Sequence, residues 1–309
     1  ELTIGCAGGV DVSANGSYAT QATPAGSSSF VMTVKGLSGG HSGMDIHKGL
    51  GNANKLMNRI LRDAPGVHIA AIDGGGLRNA IPRESNATVA VSSADLDAFK
   101  AFVSKMEGIF QSEHETTDPN LVVVLTDTTA PATVMDSDFQ HKFVRAVYAC
   151  PNGVFRLSPD IAGLTQTSNN LARILVKDGN YEILCLTRSS VDSEKWDLAT
   201  AIHSTFELMG AHVENGGSYP GWAPKPSAPI IKVMADLYTE MFEEQPHVNA
   251  CHAGLECGIL GTNYPDMDMI SFGPNIRGAH SPDEKVQVSS VQKFWKYLLE
   301  TLRRTPAAG

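Results

Sequence analysis

A histidine in a glycine-rich turn is the first group in this sequence that could do chemistry. His41 lies within the run Gly-Gly-His-Ser-Gly at positions 39–43, and such neighbours let a ligand approach the ring closely. Its imidazole could donate a hydrogen bond or carry a positive charge near neutral pH; the alternative is a turn whose histidine is merely exposed. Asp45 and His47 lie close enough to suggest a metal site with His41, but no rigid element is predicted to hold the three together.

Two further polar side chains have the chemistry to hold a peptide. Asn79 lies in a second glycine-rich loop, just before Pro82, where its amide could bind a substrate amide or carboxylate. The alternative is a solvated turn with asparagine in the left-handed conformation. Arg188 ends an apolar strand, and a guanidinium can bind a carboxylate through two parallel hydrogen bonds. A salt bridge to Asp192 at the end of a sheet is the alternative for this arginine.

Two loops near the C-terminus each contain a histidine. His252 begins the run His-Ala-Gly-Leu-Glu-Cys-Gly at 252–258, and His280 begins His-Ser-Pro-Asp-Glu at 280–284. A histidine that follows a strand and precedes carboxylates is a candidate metal ligand, since the carboxylates could orient its ring. The alternative is a histidine that caps the following turn, and neither run alone demonstrates a metal site.

Composition restricts the class of protein. The chain has 309 residues, 42% of them hydrophobic, and a net charge of -9, which suits a globular protein and makes nucleic acid an unexpected partner. No apolar run has the length of a membrane span, and the first residues do not resemble a signal peptide. The five cysteines, an odd number in mostly apolar or glycine-rich surroundings, favour a reduced, cytoplasmic protein.

The elements that position these groups follow from hydrophobic periodicity. Strands are predicted at 30–35, 67–72, 85–91, 121–125, 171–176 and 181–186, and helices at 50–61, 96–110, 139–148 and 196–209. This order gives two successive strand-helix-strand-strand-helix units, which indicate a pseudo-duplicated α+β domain over about 10–214. The polar stretch 12–28 is not assigned to a strand. Residues 177–180, Lys-Asp-Gly-Asn, predict a tight hairpin turn.

A glycine- and proline-rich linker is predicted at 215–226, and the remainder of the chain has an α/β pattern. The short strand within 1–9 is expected to join this second part. The division is therefore 1–9 and 215–309 for one α/β domain, with 10–214 inserted into it. The first residue is not methionine, so the chain is expected to begin inside a longer product.

Seven motifs in the chain point together to one family. In this order they resemble the aminoacyl-histidine dipeptidases, also called peptidase D or the carnosinase-like cytosolic nonspecific dipeptidases. The motifs are Ile-Gly-Cys-Ala-Gly-Gly at 4–9, Gly-Leu-Ser-Gly-Gly-His-Ser-Gly at 36–43, Gly-Asn-Ala-Asn-Lys at 51–55, Leu-Arg-Asn-Ala-Ile-Pro-Arg-Glu at 77–84, Tyr-Pro-Gly-Trp at 219–222 and the two histidine runs at 252–258 and 280–284.

The resemblance implies a fold and a reaction. It implies a catalytic α/β domain of the zinc-peptidase type, incomplete at its N-terminus here, with an inserted α+β lid domain, and hydrolysis of dipeptides, including those ending in histidine, by two zinc ions. It also implies that His280 is a zinc ligand, that the lid residue His41 stabilises the tetrahedral intermediate, and that Asn79, Arg188 and Gly254 hold the substrate. A small peptide and a second copy of the chain in a homodimer are the expected partners, and a membrane is not.

One departure from the family limits these expectations. No His-x-Asp motif occurs in the 309 residues; the resemblance implies that this motif, the bridging Asp, the Glu-Glu pair and the further Asp ligand of the family all precede Glu1, and one histidine cannot hold two zinc ions. The chain is therefore expected to be inactive without a preceding part. Two alternatives stay open: a related two-zinc amidohydrolase or carboxypeptidase acting on acyl-amino acids or short peptides, and a truncated, non-catalytic binding or dimerisation module.

Overall fold

Two separate β-sheets organise the chain in the computed structural model, which describes residues 1–277 and 284–305. The strands are β1 (Leu2–Cys6), β2 (Gly8–Ser17), β3 (Thr20–Ala22), β4 (Ser28–Lys35), β5 (Gly40–His41), β6 (Val67–Gly75), β7 (Ala80–Ile81), β8 (Ser85–Val91), β9 (Val122–Asp127), β10 (Thr133–Met135), β11 (Gly153–Leu157), β12 (Thr165–Lys177), β13 (Asn180–Ser189), β14 (His212–Tyr219), β15 (Val248–Cys251), β16 (Ser271–Phe272), β17 (Ile276–Arg277) and β18 (Lys285–Val286).

Seven α-helices accompany these strands in the described ranges. They are α1 (Ala53–Asp63), α2 (Leu96–Glu113), α3 (Ser137–Ala149), α4 (Asp192–Glu207), α5 (Pro229–Phe242), α6 (Glu256–Asn263) and α7 (Val288–Arg304), and a short 3₁₀ helix covers Ile46–Lys48. None of the helices in these ranges combines the length and the apolar character that crossing a bilayer requires.

The larger sheet is antiparallel and has the order β14-β2-β13-β12-β6-β8-β4-β9, with β11 paired to one end of β12. The predicted duplication is visible in this order. One half of the sheet consists of β9, β4, β8 and β6, listed from the edge to the centre. The other half consists of β14, β2, β13 and β12, again from the edge to the centre, so that β6 and β12 pair in the middle. The repeat boundaries predicted from the sequence were wrong, since the strand at 121–125 completes the first half and β2 opens the second.

Strand β2 was missed because its composition is rich in Gly, Ser and Asn, which are poor strand formers. The signal was present as an alternation: Val10, Val12 and Ala14 are all fully buried, and the residues between them are less so. Neighbours β13 and β14 pair with both edges of β2, which satisfies its backbone without help from large side chains. Strand β14 also continues to Tyr219, so residues 215–219 of the predicted linker belong to the sheet.

The helices of this part share one apolar core with the sheet. Helix α1 begins after Asn52, whose side-chain oxygen accepts hydrogen bonds from the backbone N–H groups of Asn54 and Lys55 and thereby caps the helix. Met57 and Ile60 on its inner face are fully buried, as their spacing predicted.

The second sheet has three strands in the order β15-β1-β16, and β1 runs parallel to β15. Helices α5 and α7 pack together against it, around the buried side chains of Leu2, Met234, Leu237 and Tyr297. Parallel strands with packed helices are an α/β arrangement, whereas the large sheet with its helices is α+β. The predicted fold class, an α/β domain with an inserted α+β lid domain, is confirmed.

Candidate functional site

Arg188 lies at the end of β13 and is only 4% exposed. Its Nη1 donates a hydrogen bond of 2.7 Å to the hydroxyl of Tyr219, and its Nε has no hydrogen-bond partner among the described residues. No carboxylate in residues 1–277 or 284–305 forms a salt bridge with it. A buried guanidinium in this state is costly unless an anion compensates its charge, so the arrangement is suited to receiving an anionic ligand.

The alternative salt bridge from Arg188 to Asp192 does not form, because Asp192 is engaged elsewhere. Its Oδ1 lies 2.8 Å from Nζ of Lys195 and also accepts the backbone N–H of Gly221. The buried Lys195 then donates to the carbonyl oxygen of Tyr219 at 2.7 Å. Asp192 and Lys195 thus anchor the backbone of the tyrosine whose hydroxyl holds Arg188.

His41 lies in β5, which pairs with β7, and its ring is oriented by its own turn. The ring atom Nδ1 accepts hydrogen bonds from the backbone N–H groups of Gly43 at 3.1 Å and Met44 at 3.0 Å. Because Nδ1 acts as an acceptor, a neutral imidazole carries its proton on Nε2. The backbone N–H of His41 donates to Asp45, whose other oxygen binds Lys48.

These bonds also determine the role of Asp45. Burial raises the pKa of its carboxyl, but the bonds from Lys48 and from the backbone of His41 outweigh that effect and hold the pKa below its ordinary value. The carboxylate is therefore committed to shaping the turn. This explains why the hypothesis of a metal bound by Asp45, His47 and His41 fails: no group of three or more such ligands forms in the described part of the chain.

The loop that carries Asn79 lies beside the histidine turn. The carbonyl oxygen of Asn79 accepts the backbone N–H of Ser42 at 2.8 Å, and the amide of the buried Asn170 donates to the carbonyls of Arg78 and Ala80 on either side. The backbone of this loop is therefore fixed while residue Asn79 itself is exposed. An exposed amide on a fixed backbone fits a role in binding.

His252 lies just after β15 and is 6% exposed. Its Nε2 is 2.7 Å from the hydroxyl oxygen of Ser168, which lies on β12 of the large sheet. Burial, followed by the positive charge of Arg188, lowers the pKa of His252 from 6.5 to about 3. At neutral pH this ring is therefore uncharged, and its bond to Ser168 links the two parts of the chain.

The lowered pKa of His252 predicts acid sensitivity. Between pH 6.5 and pH 3 the unfolded chain binds a proton at this ring that the folded chain does not, so the stability that the neutral ring contributes is complete above pH 6.5 and is lost as the pH falls. We expect the wild type to lose up to about 2 kcal/mol more than His252→Gln between pH 7 and pH 5.

Urea unfolding at both pH values measures this difference. The exposed His141 on α3 provides the control, since His141→Gln should retain the pH dependence of the wild type. An identical loss of stability in His252→Gln and the wild type would contradict the buried, neutral state of His252.

Gly254 follows in the same loop and contacts Tyr219. A methyl group added at Gly254 would lie 3.0 Å from Cε2 of the tyrosine ring, which is tighter than an ordinary packing contact. The glycine therefore leaves room for the ring that supports Arg188. Of the residues singled out in the sequence, His280 lies outside the described residues.

The structure brings together groups that are far apart in the sequence. The turn of His41 contacts the loop of Asn79, and Arg188 contacts Tyr219, which packs on the loop of His252 and Gly254. Gly43 of the turn lies against His252 and Arg188 and so joins the two groups. Three residues that complete the cluster had no predicted role: Ser168, Tyr219 and Gly43. Tyr219 was visible within the motif Tyr-Pro-Gly-Trp, whereas Ser168 carries no local signal.

Known proteins resemble this chain along its whole length. The model of the peptidase dimerisation domain matches residues 32–118. The cytosol non-specific dipeptidase of Escherichia coli (strain K12) is 42% identical over 310 residues, which cover 99% of this chain and 64% of that protein. The crystal structure of the aminoacylhistidine dipeptidase from Vibrio alginolyticus matches all of this chain and 64% of its own with a TM-score of 0.93 and 38% identity. The chain thus spans about two thirds of the length of these relatives.

Proposed function

We propose that this chain, which resembles the cytosol non-specific and aminoacylhistidine dipeptidases along its whole length, belongs to their family and takes part in the zinc-dependent hydrolysis of dipeptides with a free C-terminus, including Xaa-His dipeptides. The observation that carries the proposal is Arg188, a buried cation without a carboxylate partner among the described residues. In this proposal the C-terminal carboxylate of the substrate is its missing partner.

Arg188 is prepared for that role by its surroundings. Tyr219 accepts a hydrogen bond from Nη1, and within residues 1–277 and 284–305 the Nε–H of the same guanidinium donates to no acceptor. Neighbouring His252 is uncharged near neutral pH, so it adds no second charge beside the arginine. A carboxylate that binds here forms charge-assisted hydrogen bonds in a site from which water is largely excluded, where they are strongest.

His41 and Asn79 complete the proposed substrate site. Nδ1 of His41 accepts from two backbone donors, and in this proposal a proton on Nε2 is donated in a hydrogen bond to the carbonyl oxygen that becomes negative when the peptide bond is attacked. The amide of Asn79 has both a donor and an acceptor for the peptide group. Gly254 packs against the ring of Tyr219, and its lack of a side chain leaves room for that ring.

The zinc ions belong to this proposal through the family alone. The residues in 1–277 and 284–305 do not fit them, since no three histidine, cysteine or acidic side chains there lie close enough to share a metal ion. His280, the proposed zinc ligand, lies outside these ranges. The described residues therefore contribute substrate binding and charge stabilisation only, and two zinc ions are proposed only for an enzyme in which further ligands are present.

A prediction follows for the 309-residue chain by itself. With added zinc it should bind a dipeptide but hydrolyse it at a negligible rate, because its described residues lack a group of metal ligands. The full-length product of the gene that encodes it should be active. Hydrolysis of alanyl-histidine, followed by release of free histidine, measures both, and robust turnover by the 309 residues with two bound zinc ions would overturn this prediction.

The substrate class is tested by a panel. Acyl-amino acids and short peptides also end in a carboxylate, so Arg188 alone would serve the alternative enzymes equally well. The full-length product should hydrolyse dipeptides faster than tripeptides and N-acetyl amino acids. Equal or higher rates on N-acetyl amino acids would favour the alternative amidohydrolase.

We also propose a homodimer in the cytoplasm. The match of residues 32–118 to a peptidase dimerisation domain supports self-association, and β9 and β14 leave one edge each of the large sheet unpaired within the described structure. Helix α7 exposes Val288, Trp295 and Leu302 at seven-residue spacing, an apolar stripe that another polypeptide segment could cover.

A further inference from the structure

Gly43 lies where the histidine turn meets the loop of His252. It is buried, and a methyl group added there would overlap the backbone carbonyl oxygen of His252. The same methyl group would lie 3.2 Å from Cε1 of His41 and 3.3 Å from Nε of Arg188. One hydrogen atom in place of a side chain thus allows three groups from three segments to converge.

Glycine is needed at position 43 because a larger residue would not fit, and not because of its backbone conformation. The φ angle of Gly43 is not among the positive values that disfavour other residues, so alanine could adopt the same backbone conformation. The overlap involves a backbone carbonyl, which cannot move aside as a flexible side chain can. A methyl group would therefore push the turn away from His252 by about 1 Å, toward a normal van der Waals distance.

His252 is held in place from the opposite direction. Its ring is buried and bonded to Ser168 of β12, so its carbonyl cannot easily retreat from the turn. The charged and titratable groups that affect this ring are Arg188, His41 and His47. His252 therefore contacts the lid domain twice, through its ring at Ser168 and through its carbonyl at Gly43.

We propose that Gly43 and His252 are positioning residues that form the closing contact between the lid domain and the C-terminal part, and that this contact sets the distance between His41 and Arg188. The proposal rests on the function proposed above, in which these two side chains act on opposite ends of one dipeptide. A turn displaced at Gly43 would carry His41 with it while Arg188 stays at the end of β13, so that the carboxylate is held at Arg188 with the scissile carbonyl out of reach of His41.

The test compares Gly43→Ala with Gly108→Ala. Gly108 lies in α2, and a methyl group there would have no atom within 4 Å, so this control should behave as wild type. In Gly43→Ala we expect kcat/KM for alanyl-histidine to fall about 100-fold in the full-length product, the usual cost of a 1 Å misplacement of a catalytic group. Wild-type kcat/KM in Gly43→Ala would overturn the proposal.

A second measurement does not depend on catalysis. NMR titration of the histidine rings in the 309-residue chain should show the pKa of His252 rising from about 3 toward 6.5 in Gly43→Ala, because the displaced turn admits water to the ring. If the wild-type full-length product hydrolyses no dipeptide, the proposed function fails, while this titration of the 309-residue chain still tests the contact between Gly43 and His252. An unchanged pKa in a folded Gly43→Ala would overturn the contact.

Ser168→Ala approaches the same contact without adding an atom. It removes only the hydroxyl that holds the ring of His252, and we expect kcat/KM to fall about 10-fold, because the loop of His252 then loses the bond that fixes it to β12. If Gly43→Ala does not melt cooperatively and is therefore not folded, Ser168→Ala is the variant that tests whether the contact of His252 with the lid domain positions His41. Wild-type kinetics in a folded Ser168→Ala would then overturn the proposal.

Discussion

Arg188→Met should weaken the binding of a dipeptide about 100-fold while leaving the melting temperature equal or higher. The binding loss corresponds to the charge-assisted hydrogen bonds of one carboxylate, about 3 kcal/mol. The melting temperature should not fall, because the guanidinium is buried without a carboxylate partner among the described residues. An apolar side chain of similar volume removes the cost of desolvating that charge. Affinity and stability are thus expected to separate at this position.

Calorimetric titration of the 309-residue chain with alanyl-histidine and with its C-terminal amide measures the dissociation constant of each ligand. The wild type should prefer the free acid by about 100-fold, and Arg188→Met should bind both equally weakly. Arg173→Met is the matched control, because Arg173 lies on the neighbouring strand β12 but is paired with Asp73. If Arg188→Met still discriminates between acid and amide, the proposed role of Arg188 is wrong.

His41→Asn should lower kcat by about 100- to 1,000-fold with little change in KM. Asparagine was chosen because its side-chain oxygen can take the place of Nδ1 and accept the N–H groups of Gly43 and Met44, which preserves the turn. What the variant lacks is a donor at the position of Nε2. The expected effect is therefore confined to the step in which the carbonyl oxygen gains negative charge.

Steady-state kinetics of the full-length product on alanyl-histidine give kcat and KM separately. His47→Asn serves as the control, since His47 is an exposed histidine six residues further along the chain and should retain wild-type values. A large rise in KM with unchanged kcat would place His41 in substrate binding instead.

Much of the lid domain could be predicted from local patterns because its elements are locally encoded. The Asp-Gly pair at 178–179 gives the hairpin between β12 and β13, where both residues adopt the positive φ angles that this turn requires. Helix α1 begins at its asparagine cap and buries the predicted face. Strand β2 escaped prediction because its pairing partners β13 and β14 come more than 160 residues later, and its own propensity is weak.

The candidate site divides in a similar way. His41, Asn79 and Gly254 stand out in the sequence because each lies in a motif that resembles the family, and Arg188 stands out because it ends an apolar strand. The roles of all four stay predictions. The choice between a carboxylate ligand and Asp192 as the partner of Arg188 could not be made from spacing, since Asp192 is only four residues away. The structure rules out only the salt bridge to Asp192, because Lys195 binds that carboxylate and no carboxylate among the described residues pairs with Arg188. A carboxylate ligand at Arg188 stays a prediction.

By itself, the sequence indicated the family that the chain resembles, much of the alternation of strands and helices, the tight turns and the chemical identity of the groups that could hold a peptide. These are properties of short segments, whose conformation depends on neighbours along the chain. Only the tertiary structure decided which side chains meet: that Ser168 holds His252, that Tyr219 holds Arg188, and that Gly43 admits the carbonyl of His252. Such contacts depend on distances between segments far apart in the chain, and those distances exist only after the sheets have paired and the two parts have packed together.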